Sequence, residues 1–330
     1  MERALELAAF GGSRVSPNPF VGAVIVHDDR IIGEGYHRCF GAPHAEVNAV
    51  GSVAGKDRPL LKESTMYVTL EPCSHFGKTP PCANLIVECG IPRVVIAAKD
   101  PFLKQFKGGI SVLEEAGVEV ETGLMEKEAK FINRRFFTAH TLKRPFILLK
   151  WAQTADGFIA CADGTPLKIS SPLTKVLMHR ERSFYDAIMV GVNTVIRDNP
   201  RLDCRLWPIR LPEERPRKIG FESSRLPRDA AFRDGREILK SPLENLPDFL
   251  NRLYSEFGIT SLMAEGGAKT LQAFIEAGLY DEIRVETSLS LTTGSGIPAP
   301  SLPSTPPPLF HEIPPLEFGS NIIRRFVKNY

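Results

Sequence analysis

Apolar and polar residues follow two different periods along the first 140 residues. Apolar residues at alternate positions or in short unbroken runs are typical of β-strands, whereas a spacing of three and four residues is typical of amphipathic helices. The first pattern predicts strands at residues 21–27, 31–35, 65–70, 94–98 and 118–122, and the second predicts helices at residues 1–12, 45–50, 83–89, 109–116 and 126–140. Because strands and helices alternate, we expect an α/β domain whose helices cover a sheet.

The same alternation begins again after residues 141–145, and we place a domain boundary there. Residues 1–143 are assigned to a first domain and residues 144–330 to a second. In the second domain the pattern predicts strands at residues 146–151, 187–190, 218–221, 261–264 and 282–286, and helices at residues 174–182, 246–257 and 270–277. The proline-dense residues 297–316 are expected to form an extended surface segment and not a helix.

Composition narrows the class of protein further. Of the 330 residues, 43% are apolar and 24% are charged, which is typical of a globular chain and not of a disordered one. The formal net charge of +2 gives no reason to expect a polyanionic partner. The sequence has no run of about 18 apolar residues, and its first residues lack the apolar stretch of a signal peptide. We therefore expect a cytoplasmic protein, and its six cysteines are too few for a disulfide scaffold.

Three candidate metal ligands stand at predicted helix starts or after a strand. His44 opens one helix. Cys73 follows a strand through Pro72, and Cys82 follows two prolines at the start of the next helix. The free N–H groups and the positive dipole end of a helix N-terminus favour the thiolate, which is the metal-binding form of cysteine. One His and two Cys leave a fourth position on zinc for water, as in catalytic sites, whereas the alternative, a structural site, would normally need a fourth protein ligand.

Glu46, two residues after His44, supplies the carboxylate that zinc-dependent deamination needs. Zinc lowers the pKa of a bound water to about 7, and a carboxylate that is not a ligand can pass the water's proton to the departing amine. His-x-Glu followed by Pro-Cys is the signature of zinc deaminases, in which the second cysteine comes about three residues after the first. Here Cys82 comes nine residues after Cys73, so the sequence departs from that general spacing.

Five stretches of the first domain resemble one known family. They are PNPFVGAVIV, GEGYH, PHAEVNA, YVTLEPCSHFGKTPPC and the Asp-Pro pair at residues 100–101, and they are similar to the bifunctional deaminase/reductase of riboflavin biosynthesis. The resemblance implies a cytidine-deaminase-like three-layer domain that replaces an exocyclic amine of a pyrimidinone ribosylamine 5′-phosphate with water. It also implies substrate contacts at Asn18 and, between the two cysteines, at His75 and Lys78.

The second domain resembles the reductase half of the same family in PFILLKWAQTADGFIA, SSPLTKVLMHRERSFYDAIMVGVNTVIRDNPRLDCR and LMAEGGAKTLQAFIEAGLYDE. The resemblance implies a dihydrofolate-reductase-like α/β domain that uses NADPH to reduce a ribosyl group to ribityl. From the residues alone, AEGGAKT predicts a glycine-rich turn that presents backbone N–H groups to a phosphate at a helix N-terminus. The implied cofactor contacts are Ala152, Lys168, Thr194, Asp198, Gly267, Ala268, Lys269, Thr270 and Leu271, and the implied substrate contacts are Lys150, Arg182, Leu202, Arg205 and Glu265.

Four features depart from the family pattern. Pro166 and Lys168 stand where the family has a serine and a tryptophan, and SLSLTTG stands where it has Pro-Lys-Leu-Leu-Gly. The stretch after Lys218 is short, and a strand expected near residues 235–245 is hard to find. Pro166 lacks a hydroxyl and a backbone donor, whereas Lys168 could pair with the cofactor's phosphates instead of stacking on the cofactor.

We infer a bifunctional enzyme that performs zinc-dependent deamination and then NADPH-dependent reduction. One alternative is a monofunctional deaminase with a degenerate reductase domain, and a second is a purely structural zinc protein. A third is a nucleic-acid base deaminase, although the chain lacks basic stretches interleaved with aromatic residues. The partners that we expect are a small phosphorylated pyrimidine and further copies of the chain, with no nucleic acid and no membrane.

Overall fold

The computed structural model describes residues 1–74, 80–102, 107–208, 216–241, 244–302 and 310–329. The chain divides into two compact units, Met1–Leu142 and Lys143–Asn329. No helix within the described ranges is both long and apolar enough to cross a membrane.

The first unit is built around a five-stranded sheet. Its strands are β1 (Gly22–His27), β2 (Arg30–Tyr36), β3 (Thr65–Leu70), β4 (Arg93–Ala98) and β5 (Glu119–Thr122). Its helices are α1 (Glu2–Ala9), α2 (Ala45–Ser52), α3 (Cys82–Glu88), α4 (Gly109–Glu115), α5 (Glu126–Ile132) and α6 (Arg134–Leu142), with two 3-10 helices at Gly12–Val15 and Gly55–Glu63. The strand order is β2-β1-β3-β4-β5, in which β1 is antiparallel to both neighbours and β3, β4 and β5 are parallel.

Alternating side chains along β1 pack into helices on both faces of this sheet. Ala23 and Ile25 belong to a core shared with Ala49 of α2 and Ile86 of α3, whereas Val24, between them, packs with α1. This two-residue alternation is the geometry of a strand buried on both faces. The predicted three-layer α/β architecture of the first domain is therefore confirmed.

The predicted helix at 126–140 is two helices, because Asn133 interrupts it. The Asn133 side chain is buried, accepts a hydrogen bond from the Phe20 N–H at 2.8 Å and donates one to the Phe20 carbonyl at 2.9 Å. An asparagine whose side chain bonds to a backbone elsewhere competes with continued helix formation. The break also ties α5 and α6 to the chain just before β1, beside the first unit's cavity.

The second unit is built around an eight-stranded sheet. Its strands are β6 (Phe146–Gln153), β7 (Phe158–Ala160), β8 (Ala187–Met189), β9 (Arg217–Phe221), β10 (Ile238–Lys240), β11 (Ser261–Ala264), β12 (Glu282–Ser288), β13 (Ile297–Pro298), β14 (Phe310–Phe318) and β15 (Asn321–Lys328). Its helices are α7 (Pro172–Arg182), α8 (Val192–Asp198), α9 (Leu246–Ser255) and α10 (Ala268–Glu276). The strand order is β10-β9-β8-β11-β6-β12-β15-β14, and β7 pairs separately with β13.

Six strands of this sheet, from β10 to β12, are parallel, so their carboxyl ends share one edge. Apolar residues of α9 and α10, such as Phe249 and Phe274, cover one face, and residues of α7 and α8, such as Met178 and Val195, cover the other. Helices on both faces of a mainly parallel sheet give a second α/β domain, as predicted.

The second unit differs from the prediction in several elements, of which strands β7, β13 and β15 were not predicted at all. The strand that was hard to find near residues 235–245 exists as β10, a three-residue strand at the edge of the sheet. The helix α8 was missed, because its sequence, VNTVIRD, is short and rich in β-branched residues. Within the proline-dense segment, β14 is an edge strand whose register shifts between Ile313 and Leu316, around Pro314 and Pro315. Proline lacks the N–H of a central strand but is tolerated at a bulge on an edge.

Candidate active sites

The three predicted metal ligands lie together at the edge of the first sheet. His44 is the N-cap residue of α2, Cys73 follows β3, and Cys82 is the first residue of α3. The His44 Nδ1 atom lies 3.5 Å from Cys73 Sγ and 3.4 Å from Cys82 Sγ. The three ligand atoms all lie within 4.8 Å of one another, which is close enough for one ion to reach them all.

The charge balance of this group suits a divalent cation. The backbone N–H of Cys82 donates to Cys73 Sγ at 3.3 Å. Hydrogen bonds from Cys82 and His44 lower the pKa of the Cys73 thiol to about 4, although burial opposes the change. The hydrogen bond that the Cys82 thiol donates to the Cys73 sulfur raises the pKa of Cys82, and burial raises it further. A bound Zn²⁺ would stabilise both thiolates, so the donor set fits zinc with three protein ligands.

Glu46 lies beside the ligands with an unsatisfied carboxylate oxygen. Its residue is only 3% exposed, and its Oε2 atom has no hydrogen-bond partner within the described part of the chain. Burial raises the pKa of Glu46 to about 7. A buried oxygen without a partner is costly unless a bound molecule satisfies it. Glu46 is therefore placed to exchange a proton with a molecule in the cavity.

A cavity of about 310 Å³ opens onto this group. Its wall includes His44, Glu46, Cys73 and the predicted substrate residue Asn18. The predicted substrate residues His75 and Lys78 lie outside the described residues. A volume of this size suits a single heterocyclic ring with part of its substituent.

His37 also lines the cavity, and sequence reasoning missed it although the residue ends the GEGYH stretch. Its Nδ1 lies 3.2 Å from the Pro43 carbonyl oxygen, and its Nε2 lies 3.0 Å from Asn18 Nδ2. Since a carbonyl only accepts, Nδ1 donates and Nε2 accepts from the Asn18 amide. Burial lowers the pKa of His37, which favours this neutral form. The ring thereby orients the Asn18 amide.

A larger cavity, of about 860 Å³, opens at the carboxyl ends of the parallel strands of the second unit. The glycine-rich turn at Gly266 and Gly267 lies on its wall, at the N-terminus of α10. The Gly267 N–H donates to Thr194 Oγ1 at 2.9 Å, and the Gly191 N–H donates to the Gly266 carbonyl at 3.1 Å. Both glycines have positive φ, 130° for Gly266 and 24° for Gly267, which explains why the turn requires glycine.

The structure brings most predicted reductase residues to this cavity. The predicted residues on its wall are Lys150, Ala152, Lys168, Thr194, Asp198, Glu265, Gly267, Ala268, Lys269, Thr270 and Leu271. Pro166 lies on the wall as well. Glycine, lysine and threonine at a helix N-terminus fit the phosphates of a dinucleotide.

Three predicted substrate residues lie elsewhere. Arg182 makes two hydrogen bonds to the Glu265 carboxylate, at 2.6 and 2.8 Å, and so lies behind the wall. Arg205 is exposed and pairs with Asp203 at 2.6 Å. Leu202 is 3% exposed and its side chain packs in the core, so a substrate contact of this residue would have to come from its backbone.

The buried charges at the Lys150 end of the cavity are strongly coupled. Burial would raise the pKa of Glu265, but the Arg182 guanidinium outweighs burial and the pKa is about 2. Burial lowers the pKa of Lys150, and the Glu265 carboxylate opposes that change. Glu265 is therefore ionised at neutral pH, and Lys150 gives up its proton more readily than an exposed lysine.

Sequence reasoning also missed a group of residues at the opposite end of this cavity. These residues are Asn193 and, directly after β9, Glu222, Ser223 and Arg225. These residues could have been predicted from the sequence, because β9 was predicted and ligands of open α/β sheets bind at the carboxyl ends of the strands.

Comparisons with known proteins define the class of each unit. The family model of the cytidine and deoxycytidylate deaminase zinc-binding region matches residues 1–98, and the model of the RibD C-terminal domain matches residues 145–304. The chain thus joins a zinc-binding deaminase domain to a reductase domain of the dihydrofolate-reductase-like class, as predicted.

Relatives with both domains cover nearly the whole chain. Riboflavin biosynthesis protein RibD of Aquifex aeolicus is 40% identical over 306 residues, which are 86% of this chain and 85% of the relative. RibD of Bacillus amyloliquefaciens is 37% identical over 324 residues, 91% of this chain and 86% of the relative.

Two solved structures match in fold over both domains. Acinetobacter baumannii RibD superposes with a TM-score of 0.89 at 30% identity, covering 100% of this chain and 98% of the other. The diaminohydroxyphosphoribosylaminopyrimidine deaminase/5-amino-6-(5-phosphoribosylamino)uracil reductase of Thermotoga maritima gives 0.83 at 35% identity, covering 99% and 97%.

This chain belongs to the RibD family, the bifunctional deaminase/reductases of riboflavin biosynthesis. The predicted combination of a zinc-dependent hydrolase with an NADPH-dependent oxidoreductase is confirmed at this level.

Proposed function

We propose that residues 1–143 deaminate a 2,5-diamino-6-ribosylamino-pyrimidinone 5′-phosphate and that residues 144–330 reduce the ribosyl group of the product to ribityl. The T. maritima structure carries a name with this pair of activities. The observation that carries the deaminase half is the buried, unpartnered Glu46 oxygen beside His44, Cys73 and Cys82. We further propose that the enzyme works in the cytoplasm as a homo-oligomer.

In the deaminase site, His44, Cys73 and Cys82 would hold zinc, which supplies a water molecule with a pKa lowered to about 7. Glu46 would accept a proton from that water and return it to the exocyclic nitrogen, so that the water oxygen bonds to the ring carbon while the carbon–nitrogen bond breaks and ammonia leaves. Its own pKa of about 7 suits both transfers, since a proton shuttle works best when its pKa is near the working pH. Asn18, oriented by His37, is placed to hydrogen-bond the ring.

In the reductase site, the residues that line the larger cavity would hold NADPH, which would supply the hydride for C1′ of the ribosyl group. The bond between C1′ and the ring oxygen breaks, and that oxygen needs a proton. Lys150 is the donor that we propose, because burial lowers its pKa. Arg182 keeps Glu265 ionised, and the Glu265 carboxylate in turn favours the protonated form of Lys150, which is the form that can donate the proton.

Two variants separate the two activities. Glu46→Gln keeps the side-chain shape but cannot shuttle a proton, so ammonia release should fall by about 10² or more. The same variant should oxidise NADPH at the wild-type rate when it is given the deaminated intermediate. Lys150→Met should show the reverse behaviour. If either variant lost both activities, the proposal that each activity belongs to a separate domain would be wrong.

A further inference from the structure

The second unit carries charged side chains on one face of its sheet, beside the Lys150 end of the larger cavity. In the register of the strands, Lys150 of β6 lies opposite Arg284 of β12. Glu286, two residues after Arg284, points to the same face of the sheet. Leu148, two residues before Lys150, packs with Met178 of α7. These charges therefore lie on the face that α7 covers.

Arg284 and Glu286, here called the β12 pair, are almost completely buried, yet each has charged atoms without a hydrogen bond. Their side chains are 2% and 0% exposed. Arg284 Nη1 lies 4.0 Å from Glu286 Oε2, which is too far for a hydrogen bond. Arg284 Nη1 and both Glu286 oxygens have no hydrogen-bond partner among the described residues. Because buried polar atoms without partners are costly, this arrangement calls for a physical explanation.

Two neighbouring groups of charges are held in close ion pairs instead. Arg325 of β15 pairs with Glu282 and, from α7, with Glu181. Arg182 of α7 makes two hydrogen bonds to Glu265. Direct contact neutralises these charges, whereas the charges of the β12 pair act on their surroundings from a distance.

Lys150 lies between two pairs of opposite charges. In the strand order β11-β6-β12, the Arg182–Glu265 pair flanks Lys150 on the β11 side and the β12 pair flanks it on the other. Burial lowers the pKa of Lys150 most strongly. Glu265 and Glu286 oppose burial, whereas Arg284 and Arg182 act in the same direction as burial. The protonation of Lys150 therefore depends on both members of the β12 pair.

Other charged and titratable groups near Lys150 are exposed to water or face away. Apart from Lys150 and Glu265, the charged residues on the described part of the cavity wall are exposed, so water screens their charges. They include Lys168, Lys175, Arg197, Asp198 and Lys269. On α7, His179 faces Asp203, with 3.8 Å between Nδ1 and Oδ1.

We propose that the β12 pair is a positioning pair for the reduction, in which Glu286 offsets Arg284 and so keeps Lys150 in the protonated form that donates to the sugar's ring oxygen. This inference rests on the proposed reductase function. The Lys150 ammonium gives its proton to that oxygen as the bond to C1′ breaks and C1′ receives the hydride. The neutral amine then regains a proton from water. Neither member of the pair is among the described residues that line the cavity, so the pair acts through Lys150 and not on the sugar.

The test is the pH dependence of single-turnover NADPH oxidation by the full chain, supplied with the deaminated intermediate. The rate should fall as the pH rises through the pKa of Lys150, because only the ammonium donates. Glu286→Gln leaves Arg284 unopposed and should move this fall to lower pH by about one unit, the effect of a unit charge about 10 Å away at an effective dielectric constant of about 20. Arg284→Met should move the fall to higher pH, and the double variant Arg284→Met/Glu286→Gln should return it close to the wild-type position.

The chemical reactivity of Lys150 gives a second measurement that does not depend on enzyme activity. Only the neutral amine reacts with acetic anhydride. Trace acetylation of Lys150 at a series of pH values, quantified by peptide mass spectrometry, therefore reports its protonation. The midpoint should move to lower pH in Glu286→Gln and to higher pH in Arg284→Met.

Arg144→Met is the matched control. Arg144 forms a buried ion pair with Asp281, whose side chain is 1% exposed, but it precedes the amino end of β6, six residues before Lys150. The control should lower the stability of the second unit to urea and leave both pH profiles unchanged. The purely structural alternative predicts the same behaviour for the β12 pair.

Shifts of Glu286→Gln and Arg284→Met in the same direction, or shifts no larger than that of Arg144→Met, would overturn the proposal. A different result would separate it from the function on which it rests. If the acetylation midpoints moved in opposite directions but the wild-type chain oxidised no NADPH, the effect of the β12 pair on Lys150 would stand and the reductase function would be wrong.

Discussion

Replacing Arg182 with methionine should destabilise the second unit, because it removes the partner of the buried Glu265 carboxylate. Arg182 and Glu265 form a bidentate ion pair with side chains only 14% and 5% exposed. A pKa of about 2 for Glu265, against an ordinary value of 4.5, corresponds to about 3 kcal/mol of stabilisation in the folded state. Breaking a buried pair by removing one partner costs a similar amount, about 3–5 kcal/mol. We therefore expect Arg182→Met to lose about 3 kcal/mol at pH 7.

Tryptophan fluorescence during urea unfolding reports the stability of the second unit and therefore measures this loss. The two tryptophans, Trp151 and Trp207, both belong to the second unit. Arg205→Met is the matched control, since the Arg205 side chain is 52% exposed and its pair with Asp203 should contribute less than about 1 kcal/mol. The double variant Arg182→Met/Glu265→Gln, which leaves neither member of the pair as a lone buried charge, should recover much of the lost stability.

The contribution of Glu265 to the stability of the second unit should decrease as the pH falls. The folded-state pKa of Glu265 lies below its unfolded value, so the stabilisation is complete above about pH 4.5 and is lost as the pH falls toward 2. Wild-type stability should fall in this window, and that of the double variant should fall less. If Arg182→Met loses no more than Arg205→Met at pH 7, the reasoning about the buried pair is refuted.

Three further predictions concern the first unit. Cys73→Ala should lose most of the bound zinc and all deamination, and elemental analysis showing full zinc occupancy would contradict the ligand assignment. His37→Leu removes the acceptor that orients Asn18, so KM of the deaminase should rise about tenfold at unchanged zinc content; a change in zinc alone would point to a different role. Gly109→Ala would put a Cβ 1.8 Å from the Pro72 carbonyl, next to Cys73, and should lower zinc affinity. Gly51→Ala, whose added Cβ meets no atom of the described residues within 4 Å, should not lower it, and equal effects would contradict this contact.

The sequence was sufficient for the elements that lie in regular alternation. Strand β3 and strand β11 have the predicted bounds, because unbroken apolar runs between turn residues leave little choice of ends. The His44, Cys73 and Cys82 positions could be predicted because each stands next to a recognisable helix start or strand end. Elements that local patterns of this kind predict are found at the same positions in the folded structure.

Long-range contacts could not be predicted in the same way. The pairing of Arg182 with Glu265 joins residues 83 positions apart, and nothing in the local pattern of either indicates the other. Asn133 interrupts a helix because of a contact with Phe20, 113 residues away. His37 looked like an ordinary strand-end residue until the fold placed it against Asn18. These features depend on packing between elements, which periodicity alone does not specify.

The most direct test of the central claim is to incubate the purified full chain with the pyrimidinone ribosylamine 5′-phosphate and to read ammonia and NADPH separately. Without NADPH, the account predicts release of one ammonia per substrate and accumulation of the deaminated ribosyl intermediate. Addition of NADPH should then oxidise one NADPH per intermediate and yield the ribityl product. Ammonia release with no NADPH oxidation, at any NADPH concentration up to millimolar, would contradict the bifunctional assignment and leave only the deaminase.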